Sequence, residues 1–192
     1  MFVLTQLTIT ALQEQDLADT VLEALGEVLI SPIIAGGAPR DWLLQGRCKD
    51  IDIFVDSSTN PELVLETIKD LGYSSIRYVK SEDLTEDYRS PDITSVLFFT
   101  FQRLPFQIIF CTGSPEQCVN NFPLSLSKII YKDNMIIPFI NDYFKLLSEA
   151  TVSLSSDIKE SYLERIKQKY PKLKYQDLNS HNNRRRGLSF SW

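Results

Sequence analysis

Histidine is nearly missing from this chain. The one copy, His181, lies in a polar stretch close to the end. A Ser-His-Asp or Cys-His engine needs an imidazole held in a fixed place, so that chemistry is not expected here. Cysteine is scarce as well. Cys48, Cys111 and Cys118 are odd in number and fit no zinc spacing, which reads as reduced thiols partly in the core. No apolar run reaches the length of a membrane span. Met1 to Gln15 lack a basic start and a small-residue cleavage site, so no signal peptide is expected. The expected location is cytoplasmic, with no membrane partner.

What is present is ordinary in bulk and uneven in charge. At 192 residues, 43% hydrophobic and 23% charged, the chain fits one globular domain with a helical extension. Residues 157–186 hold nine Lys/Arg against four Asp/Glu, a local +5 within a chain of net charge -5. An acidic body with a basic end suits a polyanionic partner. Arg184-Arg185-Arg186 could contact RNA phosphates, or simply be a solvated, loosely ordered end over 179–192.

The hydrophobic pattern gives the element order. Leu17, Val21, Leu22, Leu25 and Val28 recur at helical spacing, which predicts a helix over Gln13 to Leu29. Ser31 to Ala35 reads as a short strand ended by Gly36-Gly37. A short helix should follow, with Pro39 in its first turn and Gly46 past its end. Asp50 to Val55 is the next strand. Asn60-Pro61 opens a helix that Gly72 stops. Tyr73 to Lys80 is extended, and Ser81 to Pro91 reads as a mobile acidic loop. Ile93 to Phe101 and Phe106 to Cys111 read as strands, joined near Arg103-Leu104-Pro105. Ser114-Pro115 opens a short helix, and Leu124 to Tyr131 with Met135 to Pro138 suggests a hairpin turning at Asp133-Asn134. From Asp142 the pattern is helical to about Ala150, then again from Ser156 to Tyr170. Together these predict an α+β fold: a domain over 1–140 and a helical, basic extension over 141–192.

Two segments carry chemistry. In Gly36-Gly37-Ala38-Pro39-Arg40-Asp41, the glycines let backbone approach an anion, and free N–H groups at a helix start favour phosphate. Arg40 adds a cation. By itself, Gly-Gly at a strand end is also an ordinary turn. In Asp50-Ile51-Asp52-Ile53-Phe54-Val55, strand periodicity sets Asp50 and Asp52 on one face and Ile51, Ile53 and Val55 on the other. Two carboxylates side by side repel, and a hard divalent cation between them removes the conflict. By itself, that pair is also compatible with a solvated edge strand. The aromatics Phe98, Phe99, Phe101, Phe106 and Phe110 fit a strand core better than a base-stacking platform.

Taken together, strand, Gly-Gly, a helix carrying Arg-Asp, then Lys49-Asp50-Ile51-Asp52-Ile53 resembles the polymerase β nucleotidyltransferase superfamily. It is most similar to the head of tRNA nucleotidyltransferases and to small phage nucleotidyltransferases. The likeness covers residues 33–55. It extends more loosely over Phe106 to Asn134, through Phe106-Gln107-Ile108-Ile109-Phe110, Ser114-Pro115-Glu116 and Phe122. The resemblance implies a palm-like mixed sheet flanked by helices. It also implies transfer of a nucleoside monophosphate from an NTP, with pyrophosphate released. Gly36, Gly37 and Arg40 would receive the triphosphate, with Lys49 near phosphate and Asp41 orienting Arg40 or Lys49. Asp50 and Asp52 would hold two Mg²⁺ ions (or Mn²⁺) and be the catalytic pair. The implied acceptor is an RNA 3′ end of tRNA type, engaged by the basic end. The chain looks short for the helical body that measures tRNA, so complete CCA synthesis is not expected of it.

Two positions depart from the family pattern. Where many members carry a third carboxylate on a later strand, this chain has Gln107, and an amide cannot act as a base. Where small phage-like members carry an acid after the matching phenylalanine, it has Pro123. A catalytically degenerate protein that binds nucleotide or a protein partner is therefore the alternative, and a protein or small molecule is an alternative acceptor.

Overall fold

The structure, a computed structural model, describes residues 2–44, 46–85, 90–155 and 158–177, without the side chains of 2–10 and of residue 177. The described helices are α1 (Phe2–Leu25), α2 (Gly37–Leu43), α3 (Pro61–Asp70), α4 (Pro115–Asn120), α5 (Tyr143–Ser148) and α6 (Glu160–Lys169). The strands are β1 (Ile33–Ala35), β2 (Ile51–Val55), β3 (Ser74–Lys80), β4 (Ile93–Phe101), β5 (Leu104–Cys111), β6 (Ile129–Lys132), β7 (Met135–Pro138), β8 (Thr151–Leu154) and β9 (Lys174–Asp177). No described helix is long and apolar enough to cross a membrane.

The first seven strands form one sheet in the order β3-β4-β5-β2-β1-β6-β7. Only β2 and β5 run parallel, and every other neighbouring pair is antiparallel. The sheet is thus mixed, and β2, with Asp52, is its central strand. The fold is α+β, as the pattern predicts.

Period-two alternation divides the sheet's side chains into two cores. On one face Ile51, Ile53 and Val55 meet Phe99, Phe106 and Ile108, and α1 and α3 cover them with Ala18, Val21, Leu25, Val64 and Ile68. On the other face Ile33, Phe54, Val96 and Ile109 pack under Cys118 and Val119 of α4. Burying a side chain of this size contributes roughly 1.5–3 kcal/mol, so these layers hold β2 in the middle of the molecule. Caps fix the helix starts: Asn60 Oδ1 accepts from the N–H of Glu62 at 2.9 Å, and Ser114 Oγ accepts from the N–H of Gln117 at 3.3 Å.

Several boundaries move from their sequence positions. α1 reaches back to Phe2 and stops at Leu25 instead of Leu29. β5 starts at Leu104, because Gln102 and Arg103 alone make the turn, both with positive φ (46° and 70°). The loop expected from Ser81 contains a 3-10 turn at Ser81–Asp83, and residues 86–89 lie outside the described residues. The extension is not purely helical. β8 and β9 pair in parallel as a small second sheet. With α5 and α6 they close a third core, in which Val152, Leu154, Leu163 and Ile166 pack against Leu124, Leu126 and Ile129. The tail with His181 and Arg184-Arg185-Arg186 lies outside the described residues.

Candidate active site

Two strand ends meet at the site. β1 runs antiparallel to β2 with Ile33 opposite Phe54 and Ile34 opposite Ile53, so Ala35, the last residue of β1, comes level with Asp52. Gly36 and Gly37 follow Ala35 directly, Gly36 turning the chain and Gly37 opening α2. Gly36 has φ 78° and ψ -112°, which only glycine adopts readily. A Cβ there would come within 3.3 Å of the Phe122 ring, and that ring itself leans on Phe54, 5.5 Å between centres. Gly37 differs. A Cβ at Gly37 would meet only Arg40 Nη2, at 3.7 Å, so its missing side chain leaves a notch beside the guanidinium.

On the other side of β2, Asp52 lies directly opposite Gln107 of β5. Gln107 Nε2 donates to Asp50 Oδ2 at 3.2 Å, so the amide ties the two strands together at the pair. Two oxygens in this corner are sealed from solvent without a hydrogen-bond partner: Asp52 Oδ1 and Gln107 Oε1. Asp52 as a residue keeps some exposed surface, so one carboxylate oxygen is enclosed while the group still borders the open side. Burial pushes the Asp52 carboxyl up to about 7, and Asp50 adds to the rise while Arg40 and Lys49 oppose it. Lys49 is exposed and stands 4.0 Å from Asp50 Oδ2.

Arg40 and Asp41 sit at the joint with the extension. Arg40 is 5% exposed, and its Nε donates to Asp41 Oδ1 at 2.9 Å and to the Tyr170 hydroxyl at 3.3 Å. Its Nη1 donates to Ser127 Oγ at 3.2 Å. Asp41 also takes Lys169 Nζ and the Tyr170 hydroxyl as donors. Burial and the adjacent Asp41 push the Tyr170 phenol up, so it stays a donor, although Arg40 pulls the other way. Asp41 thus orients Arg40, and Arg40 presents Nη2 towards Gly37.

The sheet has solved counterparts. A CCA-adding enzyme in complex with CTP superposes with TM-score 0.60 at 16% identity, over 90% of this chain and 43% of that one. The Thermotoga maritima CCA-adding enzyme complexed with tRNA(CCA) gives 0.61 at 16% identity, over 93% of this chain and 43% of that one. An apo CCA-adding enzyme gives 0.57 at 17% identity, over 83% and 38%. The chain has the fold of a nucleotidyltransferase head. It spans less than half the length of those proteins. No family model matches it, and no curated protein matches it by sequence.

The nucleotidyltransferase-head fold can be tested for its fit to a divalent cation. Among the described residues no three His, Cys, Asp or Glu side chains converge, so the donor set is two carboxylates and one amide. All are hard oxygens, and two of them are sealed without a partner. That is the composition Mg²⁺ or Mn²⁺ takes, with waters completing the shell. Asp50, Asp52 and the Gln107 carbonyl therefore fit the ion.

Two features of this head lay beyond sequence reading. Glu14 of α1, buried, accepts from Trp42 Nε1 at 3.0 Å and from the Cys48 N–H at 3.1 Å, and so braces the segment that delivers Asp50. Ser127, Lys169 and Tyr170 hold the Arg40-Asp41 pair. Phe122, by contrast, was legible through its place in the looser likeness. Pro123 beside it donates no N–H, and its carbonyl accepts from the Ser155 N–H at 2.8 Å, which ties the head to β8.

Proposed function

We propose that this chain is a Mg²⁺-dependent nucleotidyltransferase. It would move a nucleoside monophosphate from an NTP to the 3′ end of an RNA of tRNA type and release pyrophosphate. The observation that carries this reading is the pair of sealed, unpartnered oxygens on Asp52 and Gln107, beside Asp50 and next to the glycine notch. A buried polar oxygen without a partner costs about 1–3 kcal/mol, and a bound cation removes that cost.

Asp50 and Asp52 would hold the ions, which when bound neutralise the phosphate oxygens and lower the pKa of the attacking hydroxyl. Gly36-Gly37 and Arg40 Nη2 would receive the triphosphate in the notch that a Cβ at Gly37 would fill. Lys49, exposed on a flexible stem, would add a mobile cation at its edge. Gln107 would keep Asp50 turned towards the site through its Nε2 donor and offer Oε1 as a ligand or an acceptor. As an amide it takes no proton, so deprotonation of the acceptor falls to the carboxylates or to solvent.

Incubation with each α-labelled NTP, Mg²⁺ and total RNA or lysate tests the reading. Label on RNA supports it, label on protein or a small molecule changes the acceptor, and label on none defeats the transferase. A second reading, a degenerate head that only binds nucleotide, is favoured by Gln107 at the third-carboxylate position and by Pro123. Calorimetry with a non-hydrolysable NTP, with and without Mg²⁺, separates the two when compared with the transfer assay.

A further inference from the structure

The extension reaches Arg40 through one helix. Leu163 and Ile166 anchor α6 in the third core, and Tyr170 follows the helix directly. The Tyr170 hydroxyl accepts from Arg40 Nε at 3.3 Å and donates to Asp41. Arg40 Nε also donates to Asp41 Oδ1, so guanidinium, carboxylate and phenol form a closed triangle. The guanidinium carbon lies 5.4 Å from the centre of the Tyr170 ring. Tyr162 acts one step further back. Its hydroxyl bonds Ser127 Oγ at 3.3 Å, and Ser127 Oγ takes Arg40 Nη1. Nη2 is the exception. It makes no hydrogen bond among the described residues, and it lies 3.7 Å from the place a Gly37 Cβ would take, where nothing else comes within 4 Å.

Charge balance alone would be met by Asp41. The two hydroxyls do something else: they engage two of the three guanidinium nitrogens and leave the third at the glycine notch. An arginine side chain is flexible, and one that must be ordered on binding costs affinity. Here the ordering is done in advance, by residues that lie far from Arg40 in sequence. We infer that Tyr170 is a positioning residue for a polyphosphate: with Ser127 as a second hold, it fixes Arg40 so that Nη2 meets the phosphate oxygens of an incoming NTP at Gly36-Gly37. This deepens the transferase reading and rests on its placing of the triphosphate. The extension is then a working part of the nucleotide site, and its docking on the head and the binding of triphosphate support each other.

The test is calorimetry on the full chain in Mg²⁺ with two probes, a non-hydrolysable NTP and tripolyphosphate. Urea unfolding of each ligand-free variant checks that it is folded. Wild type should bind both probes. Tyr170→Phe keeps the ring beside Arg40 and removes only the hydroxyl, and should weaken both about ten-fold. Ser127→Ala, on the head side of the joint, should weaken both in the same direction, and it decides the matter if Tyr170→Phe does not fold. In Arg40→Lys, which has no Nη2, Tyr170→Phe should cost no further affinity, because the two residues act as one unit. Wild-type affinity in a folded Tyr170→Phe and in Ser127→Ala overturns the inference. So does tighter binding, which would mean that Tyr170 withholds Arg40, or a loss confined to the NTP. No binding of either probe by wild type also overturns it. Polyphosphate binding that depends on Tyr170 in a chain that transfers no label keeps the inference and defeats only the transferase.

Discussion

Asp41 and Asp52 are both aspartates of one chain, both drawn out of water beside the same glycine loop, and they have opposite fates. Asp41 is surrounded by donors: Arg40, Lys169 and Tyr170. Asp52 has one sealed oxygen with no partner and a carboxylate neighbour in Asp50. The first corner is closed and joins the head to the extension. The second keeps an unsatisfied carboxylate oxygen beside a like charge, the feature on which the proposed cation site rests. A buried charge supplied with partners by its own chain is a structural joint. A buried charge left without them is a candidate binding position.

The comparison breaks most visibly at Asp41. Asp41→Ala would leave Arg40 buried without its counter-charge, and loss of one partner of such a pair costs about 3–5 kcal/mol. Urea unfolding should show that loss; a loss under about 1 kcal/mol would mean the joint is not held by charge.

Asp52 should respond in the opposite sense. Its carboxyl rises from an ordinary 3.8 to about 7 in the folded protein. The folded state then holds a proton that the unfolded chain has released, so metal-free stability falls as pH climbs through that window. Asp50 adds to the rise, and Arg40 and Lys49 oppose it. Without metal, Asp52→Asn should therefore be more stable than wild type at pH 8, on the order of 2 kcal/mol. The gap should close towards pH 4. Melting across this range checks both the size and the sign.

The two glycines sharpen the contrast within one loop. Gly36→Ala forces a side chain into a positive φ and against Phe122, and should cost about 1–2 kcal/mol. Gly37→Ala meets nothing tighter than 3.7 Å, so stability should hold while the Mg²⁺-NTP melting shift shrinks. Lys169→Ala should likewise have only a small effect. That side chain is 38% exposed, so despite its contact with Asp41 it should cost under about 1 kcal/mol by urea unfolding.

The sequence made the centre of the sheet legible because local signals there agree: Gly-Gly after an apolar strand, Pro39, and alternating aspartates on β2. Asp133-Asn134 turned the β6-β7 hairpin as expected, with φ of 51° and 60°. The N-terminal half of α1 was hidden because Thr8, Ile9 and Thr10 are β-branched and disguise a helix. β9 escaped notice because Lys174 to Asp177 has no apolar run and is a strand only through pairing with β8. The partners of Asp41 were hidden by distance, since Lys169 lies 128 residues away. Of the candidate site, the placing of Gln107 on a strand beside Asp52 was legible. That Arg40 would be enclosed by Tyr170 and Ser127 was not.

The central claim is that Asp52 is held ready for a cation carrying a nucleotide. The direct measurement is a melting series on wild type and Asp52→Asn, with and without Mg²⁺ and a non-hydrolysable NTP. Ligand that binds only the folded state raises its melting temperature, by about 2.7 kcal/mol of added stability at a hundred times Kd. Wild type should show the rise only with Mg²⁺ and nucleotide together, and Asp52→Asn should show none while its metal-free fold remains intact. A mutant that keeps the full ligand-induced rise would contradict the account.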